Sequence, residues 1–230
     1  MFINWQHWAA ERTRKRALPQ CAAGPLRDYL DTPLVSPEQR FIDTEFLVLD
    51  FETTGLDIEK DKALSVGYTV IRKGRICMAK NAHFYISHEE EIPESSVVIH
   101  GITETTAKEG EPLEHVLEEL LVQMRGRVLV AHYANIERNF IKKLVMEAYQ
   151  SKIPLQIIDT LAVEYRRRKR LSPDVATNSL RLFNLRDEFG LPRYQAHNAL
   201  IDAIATAELL LLQACRMSNR LDFNISQMLK

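Results

Sequence analysis

The stretch Phe46–Asp57, FLVLDFETTGLD, constrains this chain more than any other. Phe46, Leu47, Val48 and Leu49 make a continuous apolar run, the pattern of a strand buried on both faces. Asp50 and Glu52 follow with one residue between them. Side chains two apart on a strand share a face, so both carboxylates aim at one point beyond the apolar run. Two like charges so placed raise each other's pKa unless a cation lies between them. Paired carboxylates offer hard oxygen ligands, suited to Mg²⁺ or Mn²⁺. Thr53-Thr54-Gly55 then breaks the strand, and Gly55 lets the backbone turn closely around a bound group. A lone D-x-E pair is equally well the polar end of a strand, so the remaining sequence has to decide.

Ala63–Ile71 and Arg75–Ile86 read as two strands joined across Lys73-Gly74, a hairpin signal. Val128–Ala131 is a further buried strand, and Gln156–Ile158 a fifth, short one. Pro112 opens a helix in which Leu113, Val116, Leu117, Leu120, Leu121 and Met124 keep helical spacing, and Gly126 closes it. Ile136, Phe140, Leu144 and Ala148 mark one face of a helix over about Asn135–Gln150. Asp159-Thr160 stands at the mouth of another helix, and Asn178 or Ser179 caps the next. A last long helix runs from about Asn198 to Met217, and Ser95–Thr106 is a loop rich in capping residues. Three meandering strands followed by alternating helix and strand describe an α/β fold, a mixed five-stranded sheet flanked by helices.

Residues 1–43 form an N-terminal helical extension ahead of a main domain at 44–217 and a tail at 218–230. Trp5, Trp8 and Ala9 recur at helical spacing, Arg12, Arg14, Lys15 and Arg16 form a basic cluster, and Pro25–Leu30 is a second short helix. These helices read as a brace packing its aromatics on the main domain, with partner docking or a basic lip for nucleic acid as alternatives and an organellar targeting peptide as a third. A net charge of −1 argues against coating duplex nucleic acid by bulk electrostatics. Local guidance of phosphates by the basic run in Glu164–Arg170, EYRRRKR, stays open beside a solvated helix end. Cys21, Cys77 and Cys215 are odd in number and contain no C-x-x-C, which points to a reducing, cytoplasmic setting. No apolar run reaches the roughly 18 residues of a membrane span, and no secretory signal is apparent.

Acidic residues near later strand ends and helix starts are the natural companions of Asp50 and Glu52. Glu137 falls in the first turn of its helix, where the dipole favours a carboxylate as cap or as ligand. Asp202 lies among Leu200, Ile201, Ala203 and Ile204, where a lone carboxylate is costly without a partner. His197, at the start of that helix, is placed to move protons.

In order along the chain stand D-x-E on the first strand, His132-x-x-x-x-Glu137, and His197-x-x-x-x-Asp202. With IHGIT (Ile99–Thr103) and IDTL (Ile158–Leu161), the set resembles the DEDDh group of 3′-5′ exonucleases, which includes polymerase proofreading subunits and RNase T-like and oligoribonuclease-like enzymes. The resemblance covers about Phe46–Leu212 and implies a ribonuclease H-like fold. It further implies phosphodiester hydrolysis at single-stranded 3′ ends, DNA favoured over RNA, with two Mg²⁺ or Mn²⁺ ions. By that likeness Asp50 bridges the ions, Glu52 and Asp202 hold the one that activates water, Glu137 serves the second, and His197 is the general base. The backbone around Thr53, Thr54, Gly55 and Leu56 would meet the terminal nucleotide, Leu56 would face a base, and His100 and His132 would line the cleft. A histidine base works only when neutral, so activity should fall below about pH 6.5. A DNA polymerase subunit is a further implied partner.

One departure stands out. The family's H-N-A-x-F-D reads His132-Tyr133-Ala134-Asn135-Ile136-Glu137 here, and glutamate reaches one methylene farther than aspartate. That change and the N-terminal extension leave room for a weakened or inactive member that binds nucleic acid or a polymerase. A phosphodiesterase for very short oligoribonucleotides is a third reading.

Overall fold

A computed structural model describes residues 5–88, 93, 97, 100–172 and 174–229 of the chain. Its central strand is β1 (Phe46–Thr53), flanked by β2 (Ala63–Arg72) running antiparallel and β5 (Val128–Ala131) running parallel. β6 (Ile157–Asp159) continues the parallel side. On the far edge of β2 lie β3 (Arg75–Ile76) and β4 (Ala82–Tyr85), which gives a six-stranded mixed sheet among the described residues. The expected third strand is therefore two. Lys73 and Gly74 turn the hairpin at φ 50° and 66°. Met78–Lys80 then loop out as a 3-10 turn, and Thr69 Oγ1 donates to Asn81 Oδ1 at 2.6 Å where the chain rejoins β2.

The strand period divides β1 between two cores. Leu47, Leu49 and Phe51 join the cluster formed with α2 (Pro25–Asp31), α4 (Leu113–Met124) and α5 (Asn135–Tyr149). Phe46 and Val48 face the other way, onto Ala207, Leu210 and Ala214 of α8 (Ala199–Met217). The four residues Phe46–Leu49 are fully buried, as a run apolar on both faces requires. Asp50 and Glu52 continue the α8 side of the strand.

α8 can lie down on that side because Gly67, the cross-strand partner of Asp50, has no side chain. A Cβ there would stand 2.1 Å from the backbone nitrogen of Leu200. Gly67→Ala should therefore cost at least about 1–3 kcal/mol. It should also move the first turn of α8 off the sheet, which thermal unfolding and loss of activity together would report.

The remaining helices differ from expectation in detail. α3 (Glu104–Lys108) is capped by Thr103 Oγ1, while residues 95, 96, 98 and 99 of the expected loop lie outside the described residues. α6 (Thr160–Lys169) is capped by Asp159, as expected. Neither Asn178 nor Ser179 caps α7 (Leu182–Glu188); they lie in a 3-10 turn, and Arg181 holds the cap position without a side-chain bond. Ser179 Oγ turns back instead to the Ala176 carbonyl at 2.7 Å.

α1 (Trp5–Ala17) and α2 pack on the main domain through Ala17, Leu26, Tyr29 and Leu30. Tyr29 donates its hydroxyl to the Pro154 carbonyl at 2.6 Å. Trp8 does not join that packing: it is half exposed, with the Arg12 guanidinium 5.4 Å from its ring centre. The tail is built into the second core by Phe223, Ile225 and Met228. Among the described residues, no helix is long and apolar enough to cross a membrane.

Candidate active site

β1 carries its two carboxylates past the apolar run before a bulge between Glu52 and Thr53 ends regular pairing. α8 starts above that point. Asn198 Oδ1 caps it by accepting from the Ile201 N–H, and Asp202, one turn in, receives the His197 N–H at Oδ2, 3.1 Å away. The consequence is a tight group. One carboxylate oxygen each from Asp50, Glu52 and Asp202 lie within 4.8 Å of one another.

Glu137 approaches differently. It comes from α5 on the opposite side of the sheet, is 2% exposed, and stands outside the tight group. Its charge is nevertheless the largest electrostatic influence on Asp50 after burial.

Electrostatics follow from this crowding. Burial, then Glu137, Asp202 and Glu52 hold the Asp50 carboxyl well above the ordinary carboxylate range. Burial pushes Asp202 up to about 7 and Glu137 up to about 8. Glu52 Oε1, Glu137 Oε2 and Asp202 Oδ1 are buried with no hydrogen-bond partner. Carboxylate oxygens withdrawn from water and unpaired are costly. A divalent cation relieves both that cost and the mutual repulsion. An all-oxygen donor set with orphaned atoms fits such an ion.

The histidines divide into two kinds. His197 is exposed, adopts a left-handed backbone at φ 68°, and shares an edge-to-face ring contact of 5.8 Å with His100. His100 Nδ1 touches Glu52 Oε2, so His100 belongs to the wall of the carboxylate site. His132 is engaged within the protein. Its Nδ1 is 2.9 Å from Thr160 Oγ1 and its Nε2 2.9 Å from the Leu180 carbonyl. Burial drives its pKa down to about 4, so it is neutral, donates from Nε2 and accepts at Nδ1. With both nitrogens engaged, its ring ties the end of β5 to Thr160 and to the turn at Leu180.

The loop after β1 is also held internally. Thr53 Oγ1 donates to the Gly55 carbonyl at 2.7 Å, and Thr54 Oγ1 donates to Asp61 Oδ1 at 2.9 Å. Gly55 makes room for Asp61, since a Cβ would stand 2.5 Å from the Asp61 carboxylate. Leu56, by contrast, is 75% exposed. It borders an open hollow of ≈ 390 Å³ with Ile58, Tyr133, Asn135, Ile136, Asn139 and Phe140.

Three contributors escaped the sequence reading. Tyr133 stands exposed over this hollow with φ 65°, unusual for a bulky residue. Asp159 receives the N–H groups of Tyr133 and Ala134 at 3.0 and 3.1 Å while capping α6. Gly67 is the third, and a glycine inside a strand pattern is the signal that could have found it. The basic run is largely spent within the protein. Glu164 binds Arg167 and Arg168 at 2.7 and 2.8 Å, Arg168 also binds Glu188, and Arg166 donates to the Met228 carbonyl.

The sequence profile of the exonuclease family RNase T matches residues 47–210. The DNA polymerase III PolC-type protein of Thermotoga maritima is 33% identical over 177 residues, 77% of this chain and 12% of that protein. The 3′-5′ exonuclease DinG of Staphylococcus saprophyticus is 28% identical over 167 residues, 73% of this chain and 18% of that protein. The chain thus spans under a fifth of the length of these curated relatives. Its fold is similar to that of E. coli exonuclease I in complex with a dA16 oligonucleotide, with a TM-score of 0.65, 18% identity, and coverage of 77% of this chain and 42% of that one. Exonuclease X in complex with 5′ overhanging duplex DNA gives a TM-score of 0.59 and 21% identity, over 80% of this chain and 96% of that one.

Proposed function

The chain belongs to the RNase T family of exonucleases, and from that premise we propose that it removes nucleotides from single-stranded 3′ ends, DNA in preference to RNA. One observation carries the reading: carboxylate oxygens of Asp50, Glu52 and Asp202 converge within 4.8 Å at the end of the central strand. Two Mg²⁺ or Mn²⁺ ions held by Asp50, Glu52, Asp202 and Glu137 would neutralise the phosphate and activate the attacking water. Asp50, Glu52 and Asp202 would hold the cations, with Glu137 adding its charge from the far side of the strand.

His197 acts as general base, taking the proton of the attacking water on a side chain open to solvent beside Glu52. His100 walls the site and restrains Glu52. Leu56 and Tyr133 offer apolar surface to a terminal base, and the backbone of Thr53–Leu56 supports it. The PolC-type relative supports a DNA polymerase assembly as partner. α1 and α2 serve as a brace for an exonuclease domain at 44–217. The free thiols Cys21, Cys77 and Cys215 agree with a cytoplasmic setting.

The test is a panel of 5′-labelled DNA and RNA oligonucleotides with Mg²⁺, Mn²⁺ or EDTA. Stepwise shortening from the 3′ end, faster on DNA and lost in EDTA, is the expected result. Cleavage from the 5′ end, or persistence in EDTA, would remove the proposal. His197→Ala should slow single-turnover hydrolysis on the order of 10²–10⁴-fold. Mg²⁺ binding should survive that change, because the carboxylate group is untouched.

A further inference from the structure

A second donor cluster stands on the edge of the carboxylate group. Glu52, His100 and His197 each present one ligand atom, and the three atoms lie within 4.8 Å of one another. His100 Nδ1 is already in contact with Glu52 Oε2, and both side chains are largely buried. His197 is exposed, and its ring meets that of His100 edge to face. Two of the three donors are therefore held against each other, and the third is open to solvent.

The donor chemistry separates this cluster from its neighbour. Asp50, Glu52 and Asp202 supply oxygen alone, which suits Mg²⁺ and Mn²⁺. Two imidazole nitrogens and one carboxylate oxygen instead suit borderline ions, Zn²⁺ above all. Bonds of roughly 2.1 Å place donors on one zinc about 3.4 Å apart. Donors within 4.8 Å reach that spacing by small side-chain shifts, His197 turning inward while His100 and Glu52 part from direct contact, and a fourth position remains for water.

We propose that Glu52, His100 and His197 form an inhibitory site for Zn²⁺ that overlaps the catalytic carboxylates. The ion would occupy the imidazole lone pair that must accept the proton of the attacking water. It would also draw Glu52 away from the oxygen-only group. Inhibition rests on the function proposed above for His197, whereas binding rests on the side-chain arrangement alone. Excess Mg²⁺ competes for Glu52, so it should relieve inhibition in part.

Binding is measured on the full chain after stripping with EDTA, by calorimetry with Zn²⁺ and by the visible absorption of Co²⁺ as its stand-in. Wild type and Asp50→Asn should both bind, with the Co²⁺ spectrum reporting nitrogen ligation. His100→Gln and His197→Ala should each weaken binding by at least about tenfold, the effect that loss of even a supporting group produces. His197 is exposed, so its replacement leaves a folded protein to measure. Unchanged affinity in both histidine variants, or loss of binding in Asp50→Asn, would overturn the site, since the ion would then sit on the carboxylates. Zn²⁺ held through both histidines without slowing Mg²⁺-driven hydrolysis would overturn the inhibitory role. A chain that takes up Zn²⁺ this way but degrades no oligonucleotide would uphold the site and overturn the proposed function.

Discussion

Asp50→Asn is expected to lower hydrolysis on the order of 10³-fold or more and, in the absence of metal, to raise the melting temperature. The two effects share one cause. Asp50 sits between Glu52, Glu137 and Asp202, and its ionised form is opposed by burial and by all three neighbours. Asparagine keeps the shape and removes the charge, so the metal-free site loses its most crowded anion. The same charge is the one an ion would need most, because Asp50 belongs to the tight group and also lies within the influence of Glu137. Groups that act as a unit show large single-residue losses, which sets the size of the activity effect. Stability gained where activity is lost is the mark of a site held in a costly state for function. Single-turnover assays and melting in EDTA at pH 8 check both halves. A variant that loses activity and also melts earlier would mean that Asp50 supports the fold, and would remove the metal argument.

Much of this site is legible in the residues because strand geometry is rigid. The period of β1 alone puts Asp50 and Glu52 on one face, and Phe46 and Val48 show which face, since they pack against α8. The isolation of Asp202 among apolar residues marks it as needing a partner, and α8 supplies the direction of approach. What could not be read depends on spacing across the sheet. The role of Gly67 appears only once α8 is seen to rest on β2. His132 looks like a cleft residue in its motif, yet Thr160 and Leu180, distant in sequence, take both its nitrogens. The three-residue 3-10 turn that splits the expected third strand is invisible because Met78–Lys80 carry no breaker residue. Trp8 shows a further limit, for helical spacing cannot tell a core-facing ring from one stacked under an arginine.

Melting temperature in EDTA should fall as pH rises from 5 to 8.5, and Mg²⁺ or Mn²⁺ should restore it most at the alkaline end. The unfolded chain releases carboxyl protons near pH 4. In the folded protein Asp202 holds its proton to about 7 and Glu137 to about 8, chiefly because both are buried. Between these limits the folded state binds more protons than the unfolded one, so stability falls with rising pH. The contribution is complete below about pH 4 and is lost as pH passes through 7 and then 8. At about 1.4 kcal/mol for each pH unit that one proton is retained past its ordinary release, the two groups together set a penalty of about 7 kcal/mol at most above pH 5. For a chain of this size roughly 2–4 °C accompany each kcal/mol, which gives a fall on the order of 20 °C. A cation bound to the ionised carboxylates stabilises only the folded form, so its effect grows as the protons leave. His197→Ala should show the same pH trend, whereas Asp50→Asn should flatten it. A melting temperature indifferent to pH in EDTA, or equal metal stabilisation at pH 5 and 8.5, would mean that these carboxylates are not the crowded, proton-holding group that the folded chain displays.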